Sequence, residues 1–261
     1  MKSFYLTDAG RVRSHNEDSV TILKNATGEY LMIVADGMGG HRAGEVASSM
    51  VVTHFGKRFI GISSMGSKLD AVNWIRDNIN EVNEEILKYA EENPNSKGLG
   101  TTAVMALLTK EYLIFANVGD SSGFIMKNNE IHKVTKDHTL VNLLVQSGDI
   151  TEEEAKYHPK KNVLMKALGG AEKVEPDIFD VDTKSEAILL CSDGLTSMLS
   201  NDQIENVLND NELTIEEKVT KLIRKCNIRG GNDNISIAYL VIESGEKEWL
   251  WRGKRLVIVI K

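Results

Sequence analysis

Cysteine is nearly absent: Cys191 and Cys226 are the whole complement of 261 residues. Two cysteines make no disulfide framework and suit a reducing cytosol. Excess positive charge is missing too. The formal net charge is -7 at pH 7, so bulk attraction to nucleic acid is not expected. No run approaches the ~20 apolar residues that a membrane-crossing helix needs. The opening stretch, Met1-Lys2-Ser3-Phe4-Tyr5-Leu6-Thr7-Asp8, has no long apolar signal region. No internal repeat or long linker divides the chain. What remains is an ordinary soluble composition, 41% hydrophobic and 26% charged. The expectation is one large domain, monomeric, cytoplasmic and without a transmembrane segment.

The stretch that organises the chain is Leu31-Met32-Ile33-Val34-Ala35-Asp36-Gly37-Met38-Gly39-Gly40-His41. Five apolar residues read as a buried strand, and the run ends on a carboxylate. A charge delivered to the rim of a core is costly unless it meets a cation. The glycines let the backbone turn sharply and let a carbonyl approach a ligand. Asp36 with the Gly37 carbonyl reads as a corner for a hard cation, Mg²⁺ or Mn²⁺. Two plainer readings compete. A dinucleotide fold also begins strand, glycine loop, helix, but Arg42 stands where its third glycine belongs. An N-capping Asp at an ordinary turn is the other.

The remaining pattern is a mixed one. Short strands are expected at 4–7, 20–23 and 30–35, the last two joined by the turn Asn25-Ala26-Thr27-Gly28. Helical spacing covers 42–59. It returns at 69–90, where Leu69, Val72, Ile75, Ile79, Val82, Ile86 and Ala90 recur every three or four residues. From Gly100 the period changes. Segments 101–108, 112–118, 124–126 and 131–134 read as an antiparallel meander. Residues 135–161 are polar and irregular, with a short helix around 140–147, and suggest a surface excursion. Strands at 178–181 and 187–191 follow, then helices at 203–208, capped by Asn201, and 215–226, then a strand at 234–242. Segregated blocks imply an α+β fold with antiparallel sheets. Two sheets packed face to face, with helices outside each, would bury both helix pairs.

Four turns set an Asp among small residues beside an apolar run. They are Ala35-Asp36-Gly37, Val118-Gly119-Asp120-Ser121, Cys191-Ser192-Asp193-Gly194 and Gly230-Gly231-Asn232-Asp233-Asn234. Glu17-Asp18 adds two more carboxylates, shortly after Arg13. One Asp-Gly is usually only a turn. Several that converge would repel one another without a cation. Two divalent ions resolve the repulsion and support in-line phosphoryl chemistry.

These residues carry a resemblance. Arg13-x-x-Asn16-Glu17-Asp18, Asp36-Gly37-Met38-Gly39-Gly40-His41, Gly100-Thr101-Thr102, Asn117-Val118-Gly119-Asp120-Ser121, Cys191-Ser192-Asp193-Gly194-Leu195 and Gly231-x-Asp233-Asn234 are similar, in order, to the motifs of PP2C-class metal-dependent protein phosphatases. The compact bacterial members are most alike, over about residues 3 to 242. The resemblance implies a four-layer αββα sandwich, two antiparallel β-sheets face to face with helices on both outer sides. It spans 1–243, with a flap at about 141–158. Residues 244–261 lie outside as a basic, apolar tail or extra edge strand.

The resemblance also implies roles. Asp36 would bridge two Mn²⁺ or Mg²⁺ ions, Gly37 would offer its carbonyl, and Asp193 and Asp233 would complete the pair. Glu17 and Asp18 would act through metal-bound waters. Asp120 with Asp193 would hold a third ion, and Arg13 would grip the substrate phosphate. A metal-bridging hydroxide would attack phosphorus directly. Phosphoserine and phosphothreonine proteins are the implied substrates, and a cognate Ser/Thr kinase the implied partner.

Two departures stand out. Met38 occupies the place of a His thought to protonate the leaving group in many eukaryotic members. A thioether cannot do so, which leaves water or His41. Ser122 replaces an Arg that commonly follows Gly-Asp-Ser. Among rival readings, Gly119-Asp120-Ser121-Ser122-Gly123 formally matches a serine-hydrolase elbow, but a strand rather than a helix is expected next. A Cys-based phosphatase needs Arg six residues after its Cys; Ser197 and Asn232 stand there. A non-catalytic binding module on the same fold would have lost ligands, and here the carboxylates are all present.

Overall fold

The computed structural model describes residues 1–39, 43–96 and 98–242, together with the backbone of 247–251 and 254–258. The chain opens with β1 (Lys2–Asp8), β2 (Asp18–Lys24) and β3 (Tyr30–Met38). Two long helices follow, α1 (Ala43–Gly61) and α2 (Lys68–Glu92). Ser67 caps α2 through a reciprocal box with Asp70, which satisfies the first free N–H groups. Next come β4 (Gly100–Thr101), β5 (Ala103–Leu108), β6 (Leu113–Val118), β7 (Ser122–Lys127) and β8 (Glu130–Lys133). An excursion carries α3 (Leu140–Ser147) and α4 (Glu152–Tyr157) before β9 (Asp177–Val181) and β10 (Ala187–Cys191). The last part holds α5 (Asp193–Thr196), α6 (Asn201–Leu208), α7 (Ile215–Ile228), β11 (Ile235–Val241), β12 (Lys247–Trp251) and β13 (Lys254–Ile258).

Side-chain parity on β3 sets the layers. Leu31, Ile33 and Ala35 face α1 and α2, where Phe55, Phe59, Ile75 and Ile79 are buried. Met32 and Val34 face the other way, onto Ile188, Leu190, Ala238 and Leu240 of the second sheet. Beyond that sheet, Leu189, Ile237 and Tyr239 meet α5, α6 and α7 through Leu195, Ile204, Val219 and Leu222. The result is α, β, β, α in four layers. One sheet has the order β2-β3-β5-β6-β9, the other β1-β11-β10-β7-β8, and every pairing in both is antiparallel. Phe55 meets Trp74 edge to face at 5.4 Å. Burying side chains of that size contributes about 1.5–3 kcal/mol each.

Some expectations need correction. The stretch after Gly100 is not one meander. β5 and β6 pair in one sheet, and β7 and β8 belong to the other, so the chain changes sheets at Gly119-Asp120-Ser121. Periodicity reads a strand but not its partner. Asp36 does not follow its strand; it lies inside β3, where pairing passes from β5 to β4. The cap of α6 is Ser200 rather than Asn201. Two short helices, α4 and α5, were not expected. In α4 the capping box Thr151–Glu154 was the available signal. Among the described strands, β12 and β13 pair with each other as a separate ribbon. No helix among the described residues is long and apolar enough to cross a membrane.

Candidate metal centre

Asp36 continues the parity of Met32 and Val34, so it projects between the two sheets at the end where the sandwich opens. Its strand partner in the register is Asp18 on β2. The second sheet brings Asp193 from the end of β10 and Asp233 from the turn before β11. The sheet-crossing turn adds Asp120. A cavity of about 260 Å³ collects Asp36, Gly37, Asp120, Asp193 and Asp233, with Arg13 and Glu17 at one side. Asn162 and Leu164 from the excursion close the other side, and Met38 forms part of the wall. His41 lies outside the described residues.

The surrounding backbone explains why these sequences fold this way. Thr102 Oγ1 accepts from the Asp36 N–H at 3.0 Å, and the Thr102 N–H and Thr101 hydroxyl both donate to the Asp36 carbonyl at 2.9 Å. Two threonines therefore replace the ladder bonds that Asp36 gives up between β5 and β4. A Cβ on Gly37 would fall 2.1 Å from the Gly44 carbonyl of α1, so only glycine lets the helix start there. Asn234 joins two distant loops. Its Oδ1 accepts from the Glu17 N–H, and its Nδ2 donates to the carbonyls of Ala9 and His15, all at 2.9 Å. The sequence motifs contain Thr101, Thr102 and Asn234, but no local pattern shows that they hold the carboxylates in place. Asn162 and Leu164 carried no signal at all.

Charge in the cleft is unbalanced. Burial raises the Asp36 pKa well above the usual carboxylate range, and Asp18, Asp193, Asp120 and Asp233 raise it further. Burial also pushes Asp18 to about 7, against the hydrogen bonds of Ser192 and Ser236. Asp120 rises to about 7 by burial and by repulsion from Asp193. Asp193 rises to about 6 by burial and the charge of Asp233, while Arg13 opposes the shift. Arg13 Nη2 donates to Asp233 Oδ2 at 2.8 Å. Asp18 sits deeper than the other acids, with Oδ2 accepting from the Ser192 hydroxyl at 2.7 Å.

A divalent cation would balance this charge. Asp193 Oδ1 and Asp18 Oδ1 are buried without a hydrogen-bond partner. An all-oxygen donor set of this kind suits a hard divalent ion. Among the described residues no three His, Cys, Asp or Glu side chains close on one point. A larger hollow of about 640 Å³ runs past Met50 and His54. Its histidine already meets Glu85 and Asn78, each at 3.1 Å, and its carboxylates are matched by Lys57 and Arg58 in the same lining.

The family model described as protein phosphatase 2C matches residues 8–227. The chain belongs to the protein phosphatase 2C family. The serine/threonine phosphatase stp of Listeria welshimeri is 42% identical over 238 residues, covering 91% of this chain and 94% of that one. A solved structure of the Streptococcus agalactiae serine/threonine phosphatase superposes with a TM-score of 0.88 at 40% identity, covering 93% of this chain and 99% of the other. The catalytic domain of the serine/threonine protein phosphatase PstP, solved in complex with two manganese ions, gives a TM-score of 0.76 at 31% identity over 91% of this chain and 96% of its own. The expected fold class and family are therefore both met.

Proposed function

We propose that this family member hydrolyses phosphoserine and phosphothreonine on proteins, using Mn²⁺ or Mg²⁺, and that it opposes a Ser/Thr kinase in the cytoplasm as a monomer. The observation that carries the reading is the convergence of Asp36, Asp120, Asp193 and Asp233 in one cleft beside Arg13. Asp36 and Asp193, with Asp233 and the Gly37 carbonyl, would hold two central ions. Asp120 with Asp193 would hold a third, and Glu17 and Asp18 would act through water. Bound there, such ions supply an activated water as nucleophile and neutralise phosphoryl charge.

The residues divide the remaining work. Arg13 is a fixed cation on a mobile stem and can exchange Asp233 for a phosphate oxygen at the mouth of the cleft. Asp18 and Ser192 hold the floor. Residues 1–243 would form the phosphatase domain, with 141–158 as the flap and 244–261 as an appended tail. Direct transfer of the phosphoryl group to water fits a cleft whose described wall residues include no Cys, Ser or His, and whose one hydroxyl, on Thr102, is engaged with the Asp36 N–H and with Ser121. Both cysteines are buried in the outer core, where burial pushes their thiols up. Ser121 is fully buried, shares a 2.8 Å hydrogen bond with Thr102 and precedes a strand. This disfavours a serine hydrolase. Met38 cannot donate a proton, so water or His41 protonates the leaving group.

Release of phosphate from a phosphothreonine peptide should require Mn²⁺ or Mg²⁺ and stop in excess chelator. Full activity in chelator would overturn the reading. Tight Mn²⁺ binding without turnover would favour a non-catalytic module.

A further inference from the structure

Gly119 immediately precedes Asp120 in the turn where the chain changes sheets. Its φ is +108°, and a Cβ there would lie 2.5 Å from Thr102 Cγ2. The turn is therefore tight on one side. On the other side it is held chiefly by His138, from the segment after β8. The His138 N–H donates to the Gly119 carbonyl at 2.9 Å. The Gly119 N–H donates to His138 Nδ1 at 3.0 Å. Both main-chain polar groups of Gly119 thus meet His138, and the side chain of Asn117 adds a second donor to the carbonyl at 3.0 Å.

The ring chemistry follows from that contact. A main-chain N–H can only donate, so Nδ1 must present its lone pair and the ring proton sits on Nε2. Nε2 lies 3.2 Å from Asp177 Oδ2 on β9, and Asp177 also takes Lys166 Nζ at 2.9 Å. The His138 side chain is 12% exposed, too enclosed to be a casual surface contact. Its main chain lies at the stem of the excursion. The Met165 N–H donates to the His138 carbonyl at 2.8 Å, the Leu140 N–H to the Val163 carbonyl at 2.9 Å, and Thr139 bridges Leu164. Beyond the stem, Asn162 and Leu164 reach the cleft that holds Asp120.

We propose that His138 is a positioning residue: its Nδ1 holds Gly119, fixes where Asp120 presents its carboxylate, and ties that carboxylate to the stem of the excursion. The proposal rests on the reading of Asp120 as a ligand of a third ion. It places no substrate contact on His138. Groups that orient a ligand in this way typically change metal affinity 10- to 100-fold when removed, as an order-of-magnitude guide.

The test is a calorimetric Mn²⁺ titration of the full chain, with amide hydrogen exchange at Gly119 on the metal-free protein. His138→Leu removes the acceptor and should weaken the weakest Mn²⁺ event about tenfold while the two tighter events stay. Gly119 should lose exchange protection in that variant. His138→Asn, whose Oδ1 can accept in place of Nδ1, should restore both to within about threefold of the wild-type values. Asp177→Asn leaves Nδ1 in place and should change neither. If His138→Leu does not fold, His138→Gln replaces it, since its amide reaches past the Nδ1 position. Wild-type Mn²⁺ binding in His138→Leu, while Asp120→Asn loses an event, would overturn the positioning role alone. Equal loss in His138→Asn and His138→Leu would overturn it as well. If Asp120→Asn loses no Mn²⁺ event, the ligand reading and the proposal fall together.

Discussion

Arg13 and Asp233 meet at 2.8 Å across a separation of 220 residues, and both remain partly open to solvent. Arg13→Ala is expected to raise KM more than it lowers kcat, because the carboxylates stay in place. Loss of a charge-assisted contact suggests about 1.5–3 kcal/mol in kcat/KM. Steady-state kinetics on a phosphothreonine peptide measure it. Normal KM with lost Mn²⁺ binding would refute the assigned role. Asp36 is surrounded by four other acids, and Asp36→Asn removes the charge proposed to be shared by two ions. Calorimetry should show the tight Mn²⁺ pair lost or greatly weakened, with turnover lost in parallel. Undiminished turnover in Asp36→Asn would remove the centre of the mechanism. The same acids set a pH dependence. Burial, reinforced by the neighbouring acids, pushes Asp18 and Asp120 up to about 7 and Asp193 up to about 6 in the folded protein, against about 3.9 for an unfolded Asp. Between those values the folded state binds more protons, so stability falls as pH rises. For these three the penalty is absent below the unfolded value and complete above about 7, and Asp36, also raised, adds in the same direction. Asp177, Asp182 and Asp210 shift downward, so they lose stabilisation only at lower pH and do not oppose the trend here. His138, held below the usual imidazole value by burial, works the other way as pH rises through that value, one group against several acids. In chelator, Tm should be higher at about pH 5.5 than at about pH 8, and saturating Mn²⁺ should reduce or reverse the difference. A chelated protein with Tm rising over that interval would contradict the electrostatic account.

α1 begins where β3 ends, and the two backbones touch. The ideal Cβ of Gly37 falls 2.1 Å from the Gly44 carbonyl and 2.5 Å from that of Glu17. Neither neighbour is a flexible side-chain tip, so the helix start or the strand must move. Gly37→Ala should cost at least the ~1–3 kcal/mol typical of overpacking, and should weaken Mn²⁺ binding by displacing Asp36. Gly61, at the far end of the same helix, has nothing within 4 Å of its Cβ position. Gly61→Ala should be neutral or stabilising by up to about 1 kcal/mol. Denaturant melts of the pair separate a packing constraint from general sensitivity of α1. Equal stability of both variants would show that the contact relaxes freely. The strongly patterned elements of this fold could be read in advance. α2 carries seven apolar residues at helical spacing, and α3 has its predicted bounds of 140–147. α5 is only four residues long and has no period to read.

Across the whole molecule, the two sheets and their helices complete four layers within residues 1–242, and β12 and β13 pair only with each other among the described strands. Removal of residues 243–261 should leave Tm within about 1 °C and p-nitrophenyl phosphate turnover unchanged, as expected for a segment whose loss breaks no packed layer. A clear fall in Tm would place the ribbon against the sandwich. The sequence by itself determined the family, the α+β class and the identity of the acids, because strand ends, glycines and Asp leave local marks at fixed spacing. It could not place β6 and β7 in different sheets, since strand pairing is chosen by packing partners far along the chain. For the same reason it could not show that Asn234 fastens Glu17, that Thr102 supports Asp36, or that Asn162 reaches the cleft. Those are contacts of high sequence separation, and only burial of Met32, Val34, Ile188 and Leu190 against one another brings their ends together. The acids were legible as residues; their mutual repulsion, and hence their pKa values, exists only after the two sheets close.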